Sequence, residues 1–181
     1  IFWKKVYSQD ESFGNEVLRK LFVLRYSPNT MWENIVSVWF LQNRDSNDEI
    51  DLNAFNLFLS KITNFVLGYS LINPGVNQLR TPIFKEMSEI VNHNNLVPDF
   101  ENHLFDENSL RIAFDNFEFS NMKGITKSFL VWFAFLKENQ QLLSLKEPLQ
   151  IEHIFAKKRA EINGISDKNL IESIGNKIIL E

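Results

Sequence analysis

The chemistry open to this chain of 181 residues is narrow, because it has no cysteine and only three histidines. Without a thiol there is no disulfide, no Cys-type zinc site and no thiolate nucleophile. His93 and His103 belong to a polar stretch around residues 92–102, with neither a carboxylate cluster nor an H-x-x-x-H spacing beside them. They read as solvated loop histidines rather than metal ligands. His153 differs: it follows Glu152 directly and lies between Ile151 and Ile154 in a short alternating segment. Neighbouring side chains on a strand face opposite ways. Glu152 and His153 can therefore serve one site only if the strand twists, bulges or is wrapped at its edge. The residues leave two readings open. One is a structural histidine in a small sheet. The other is a hydrolytic site in which Glu152 binds a divalent cation and His153 activates water.

The elements that must position these residues are mostly helical. Residues 15–26 put Val17, Leu18, Leu21, Phe22 and Leu24 on one broad apolar face. Thr30 and Glu33 have the form of a capping box that opens a helix running to about Gln42. Asp51 is the expected cap of the clearest helix, whose apolar residues follow a 3-4 spacing from Leu52 to Tyr69. Thr81 and Pro82 predict another helix start, with Ile83, Phe84, Met87, Ile90 and Val91 as its buried stripe. Asp106 caps a short helix, and the nearly all-apolar run from Ile125 to Glu138 is expected to be the central, most buried one. After Pro148 the pattern changes. Residues 149–155 read as a strand, Ser166 as the cap of a short helix ending at Gly175, and Lys177–Leu180 as a second β-type segment.

Composition bounds the rest. At 44% hydrophobic, the chain has apolar mass for a real core, which excludes disorder and a disulfide-stapled miniprotein. Its formal charge of −4 excludes a protein that simply coats DNA, so any nucleic-acid contact must come from a local patch. Residues 1–150 hold 14 basic and 18 acidic side chains, whereas residues 151–181 hold five of each. The acidic surplus thus lies in the helical part. No uninterrupted apolar run approaches the ~20 residues that span a bilayer, and no signal peptide is visible. A soluble cytoplasmic protein without membrane contact is expected. The chain begins Ile1-Phe2-Trp3 with no initiator Met, which suggests a fragment of a longer protein.

Two strings carry a family likeness: Leu149-Gln150-Ile151-Glu152-His153-Ile154-Phe155 and, after a gap, Ile174-Gly175-Asn176-Lys177-Ile178-Ile179-Leu180. Together they resemble the C-terminal nuclease domain of the GmrSD-type modification-dependent restriction endonucleases, a His-Asn-His variant of the ββα-metal kind. The helical region before them also looks like that family. The resemblance implies a mainly α fold, with a multi-helix scaffold over residues 1–147 followed by a small, truncated ββα-metal segment over residues 148–181. It implies a DNA endonuclease active in restriction and phage defence against foreign, modified DNA. In it His153 would be the general base for phosphodiester hydrolysis and Glu152 a metal ligand. Asn176 would orient the His153 ring through its other nitrogen. Mg²⁺ or Mn²⁺ would stabilise the developing charge. Lys157, Lys158 and Arg159 would contact DNA phosphates, or else form a solvated basic turn. DNA and a ParB-like NTPase domain, in the same chain or in a partner subunit, are the implied partners.

Two departures bear on this. Ala156 stands where the family pattern has a Pro, and the chain ends at Glu181, before the helix that would carry the last Asn or His ligand. The 181-residue chain is therefore expected to fold but to cut DNA poorly. The alternative function is a helical specificity or protein-interaction module with a degenerate, inactive nuclease remnant.

Overall fold

The computed structural model describes residues 1–93 and 96–180; the other residues of the polar loop expected over 92–102, Asn94 and Asn95, lie outside the described residues. The fold is mainly helical. In chain order the helices are α1 (Phe2–Tyr7), α2 (Gly14–Leu24), α3 (Met31–Asn43), α4 (Leu52–Ile72), α5 (Arg80–His93), α6 (Glu107–Asn116) and α7 (Gly124–Phe135). The strand β1 (Gln150–His153) follows, then the short helices α8 (Lys157–Ile162) and α9 (Lys168–Ile171), and finally the strand β2 (Lys177–Leu180).

Helix α4 organises the molecule. Asp51 accepts hydrogen bonds from the amides of Asn53 and Ala54, which would otherwise lack partners at the helix start. Phe55, Phe58, Leu59 and Ile62 are completely buried along it. The buried Thr63 hydroxyl is satisfied by donating to the Leu59 carbonyl at 2.7 Å. Asp51→Ala is expected to lower stability by about 1 kcal/mol, read as a shift in the urea midpoint with an unchanged slope.

Two hydrophobic clusters meet along α2 and α4. Val17, Leu18 and Leu21 of α2 face a cluster with Trp39, Phe58 and Ile83, while Phe22 and Val23 of the same helix face a second with Val131 and Leu149. Helix α4 likewise gives Phe55 to Val66 to the first cluster and Leu67 and Leu71 to the second. An element shared by two cores must be apolar over more than one stripe. This explains why α4 is, by length and composition, apolar enough to cross a bilayer, although polar residues interrupt its sequence; 61% of its most apolar window is buried inside the protein.

The strands pair antiparallel, with Gln150 opposite Leu180, Ile151 opposite Ile179, Glu152 opposite Ile178, and His153 opposite Lys177. One face of this ribbon carries Ile151, Ile179, His153 and Lys177 toward the helices; the other carries Glu152 and Ile178 to solvent. Leu149, Ile174 and Ile179 join the second hydrophobic cluster, so the hairpin is built onto the helical body.

Several local expectations are corrected. Thr30 makes no side-chain cap; the Asn29 carboxamide oxygen accepts from the Met31 amide instead, and Glu33 accepts from the Tyr7 hydroxyl at 2.8 Å. A sequence neighbour has taken the helix-start role expected of Thr30, and a distant hydroxyl has taken Glu33. Helix α5 starts at Arg80, and Phe84 and Val91 are exposed while Glu86 is buried. Helix α7 is mostly buried, as expected, but it stops at Phe135 rather than Glu138, and its Phe133 remains 40% exposed. Asp167, not Ser166, caps α9, which is only one turn long.

Candidate functional site

The buried face of the ribbon holds a compact polar cluster. The Lys177 side chain is fully buried, and its ammonium group donates to three acceptors: Asn121 Oδ1 at 2.7 Å, Glu172 Oε2 at 2.8 Å and His153 Nε2 at 2.9 Å. Three donors on one ammonium meet three acceptors, so the buried charge is fully satisfied. Glu172 Oε2 lies 3.5 Å from His153 Nε2, and its other oxygen pairs with the half-exposed Lys157. The backbone joins in as well: the Phe119 amide donates to the Glu172 carbonyl, and the Asn121 carboxamide donates to the Ile151 carbonyl at 2.9 Å.

The electrostatics follow from this packing. Burial opposes ionisation of Glu172, but hydrogen bonds and charge from Lys157 and Lys177 outweigh it and hold the carboxyl down to about 2. Burial also lowers the affinity of His153 for a proton, and the Lys177 charge adds to this against the opposing pull of Glu172. Both groups therefore bind fewer protons when folded. The stabilisation from ionised Glu172 is complete above its unfolded value of ~4.5 and is lost as the pH falls toward 2. Neutral His153 adds a loss that begins below its ordinary value of 6.5. Thermal melts between pH 5 and pH 2.5 are expected to show a loss of about 2–3 kcal/mol, flattened in Glu172→Gln.

The sequence-predicted residues separate in space. His153 lies on the buried face with its side chain 11% exposed, whereas Glu152 is exposed on the opposite face. The alternation of the strand persists without a bulge, so the two do not converge. Asn176 does not turn the His153 ring. Its carboxamide accepts from the Phe155 amide at 2.7 Å and donates to the carbonyls of Phe155 and Ile171 at 3.1 and 3.0 Å. The residue thus ties the end of β1 to the turn before β2. Lys157, Lys158 and Arg159 form the first turn of α8; Lys157 is drawn to Glu172, while Lys158 and Arg159 are exposed. Ala156 has φ −62° and ψ 141°, the backbone that Pro would impose, so its departure from the family pattern leaves the chain's course intact.

The implied divalent cation does not fit the donors that the fold brings together. Among the described residues no three His, Asp or Glu side chains are grouped to hold one. Glu172, the carboxylate that does approach His153, already has two lysines as partners. The other histidines are placed differently from each other: His93 ends α5 and pairs with Glu89 at 2.7 Å, while His103 sits edge-on to Tyr69.

Glu172 and Asn121 escaped the sequence reading, and Lys177 entered it only as part of the second β-type segment. A signal for Lys177 was present. His153 is in phase with Ile151, and Lys177 with Ile179, so two-residue periodicity places both polar residues on the apolar face. Nothing local marks Glu172, which reaches the cluster from the turn after α9. Compared with protein-family models, curated proteins and solved structures, the chain has no match.

Proposed function

We propose that the chain carries the histidine hairpin of a DNA endonuclease resembling the GmrSD-type, acting in the cytoplasm on foreign, modified DNA. The observation that supports this reading is the assembly of its two motif strings into one unit. They pair as β1 and β2, Asn176 bonds Phe155 through both its amide and its carbonyl, and the His153 side chain lies beside them, 11% exposed. In this proposal His153 accepts the proton of the attacking water, and Lys158 and Arg159 supply phosphate contacts from the first turn of α8. DNA and a ParB-like NTPase domain, in the same chain or a partner subunit, are its partners. Lys177 now donates to the lone pair of His153 Nε2, so base action requires Lys177 to release that atom.

The same observation favours a second reading, a helical specificity or interaction module whose hairpin is a degenerate remnant. There the Lys177–Glu172–His153 cluster is a clasp that holds the hairpin to the helices.

The deciding variant is His153→Gln, because its carbonyl oxygen can still accept from Lys177 and preserve the clasp. In the full-length natural protein, with Mg²⁺ or Mn²⁺ supplied, this variant is expected to cut modified plasmid at least about 100-fold more slowly while melting within a few degrees of the parent. Equal cleavage by both proteins, or none by either, selects the second reading.

A further inference from the structure

The chain has 21 asparagines, and only Asn163 is followed by glycine. Glycine has no Cβ to shield its amide nitrogen, so that nitrogen can reach the preceding side chain. Helix α8 ends at Asn163 (φ −86°, ψ 4°), and Gly164 follows with φ +69°. Both residues are exposed, and a Cβ on Gly164 would meet nothing within 4 Å. Among the described residues the Asn163 carboxamide makes no hydrogen bond. Two backbone bonds close the helix end: the Gly164 amide donates to the Glu161 carbonyl at 3.1 Å, and the Ile165 amide to the Ala160 carbonyl at 2.9 Å. Helix α8 has six residues and buries only Ala160. So short a helix holds its last turn weakly, and the Gly164 amide is released as it frays.

The asparagines with the next smallest followers are held differently. Asn53 and Asn108 precede Ala54 and Ser109. The amides of those followers donate to capping carboxylates, Asp51 at 3.2 Å and Asp106 at 2.8 Å, within helices of 21 and 10 residues. Their nitrogens are engaged where the helix is anchored, whereas the Gly164 nitrogen sits at the loose end of α8. An uncrowded nitrogen, an unbonded carboxamide and full exposure coincide at Asn163.

We infer that Asn163–Gly164 is a site of uncatalysed covalent modification, where the folded chain loses ammonia and becomes aspartate or isoaspartate. The Gly164 amide nitrogen gives its proton to solvent and bonds to the Asn163 side-chain carbonyl carbon. The bond from that carbon to the carboxamide nitrogen breaks, and ammonia leaves. Water then opens the five-membered succinimide at either carbonyl. The product is a carboxylate at the C-terminal end of α8, where the helix's own partial negative charge opposes it. It also lies one turn after Arg159, whose carbonyl accepts from the Asn163 amide at 3.1 Å. That the new charge would blunt a phosphate contact by Arg159 rests on the nuclease reading; the modification itself does not.

The test incubates the folded protein in mildly alkaline buffer and follows the tryptic peptide of residues 160–168 by chromatography and mass spectrometry. Asn163 is expected to convert at least about tenfold faster than any other asparagine, and within about tenfold of its rate in the urea-unfolded chain. Two products of equal mass, aspartate and isoaspartate, should separate from the parent peptide. Asn163→Gln should abolish both, since its longer side chain would have to close a larger ring. Conversion in the unfolded chain but about 100-fold slower in the folded one would mean that the α8 end shields the site, and would overturn the inference. Faster reaction at another asparagine would do the same, as would no conversion in either state.

Discussion

Lys177→Ala is expected to lower the stability of the protein by about 3 kcal/mol or more, the range found when one member of a buried ion pair is removed. The side chain is completely buried and is the common donor to Asn121, Glu172 and His153. Its loss strands Glu172 with Lys157 as its one remaining cation, and Lys157 is half exposed to solvent. Lys157→Ala should therefore cost much less, about 1 kcal/mol, because water and Lys177 still serve the carboxylate. The double variant Lys177→Met/Glu172→Leu removes both charges and should recover much of the loss, as replacement of buried pairs by apolar groups often does. Urea unfolding of the four proteins checks the series. Equal losses for Lys157 and Lys177 would contradict the view that the buried lysine is the keystone. Amide exchange adds a local readout: in Lys177→Ala the strands should lose protection before α4 does.

Trp39→Ala is expected to cost about 4 kcal/mol, within the range for truncating a large buried aromatic. That is a large fraction of the 5–15 kcal/mol that holds a typical domain together. Trp39 is fully buried in α3, and its ring stacks at 5.1 Å on both Phe55 and Phe58 of α4. Its indole N–H donates to the Leu96 carbonyl at 2.8 Å, tying the segment after α5 to the same core. Truncation therefore opens a cavity and orphans a carbonyl together. Trp39→Phe separates the two effects. It keeps most of the stacking and loses the hydrogen bond, for an expected cost of about 1–2 kcal/mol. Thermal or urea unfolding of both variants tests this. A loss below about 2 kcal/mol for Trp39→Ala would mean that the core collapses around the gap.

Much of the helical frame was legible because it depends on neighbours in the chain. The 3-4 spacing from Leu52 to Tyr69 and the Asp51 cap foretold α4, and both are seen. Asp106 likewise caps α6 through the Ser109 amide. Local signals failed where a distant group competed for the same atoms. Glu33, expected to complete a cap, instead accepts from Tyr7, 26 residues away. The apolar run foretold that α7 is deeply buried, but not where the helix stops: it ends at Phe135, and Phe133 stays partly exposed.

The hairpin shows the same division at finer scale. Alternation alone puts His153 and Lys177 on the apolar side of their strands and Glu152 on the other side, since the pleat has a period of two. The identities of the partners are a different matter. Lys177 meets His153 across 24 residues and Asn121 across 56, and Glu172 enters from a turn. A buried ammonium recruits whichever acceptors the packed chain brings within about 3 Å, because leaving it unsatisfied costs several kcal/mol. Residue order carries the strand, its two faces and the placement of a lysine on the inner one. Folding of distant segments onto that lysine selects the acceptors, and so occupies the histidine nitrogen that the motif alone would have left free.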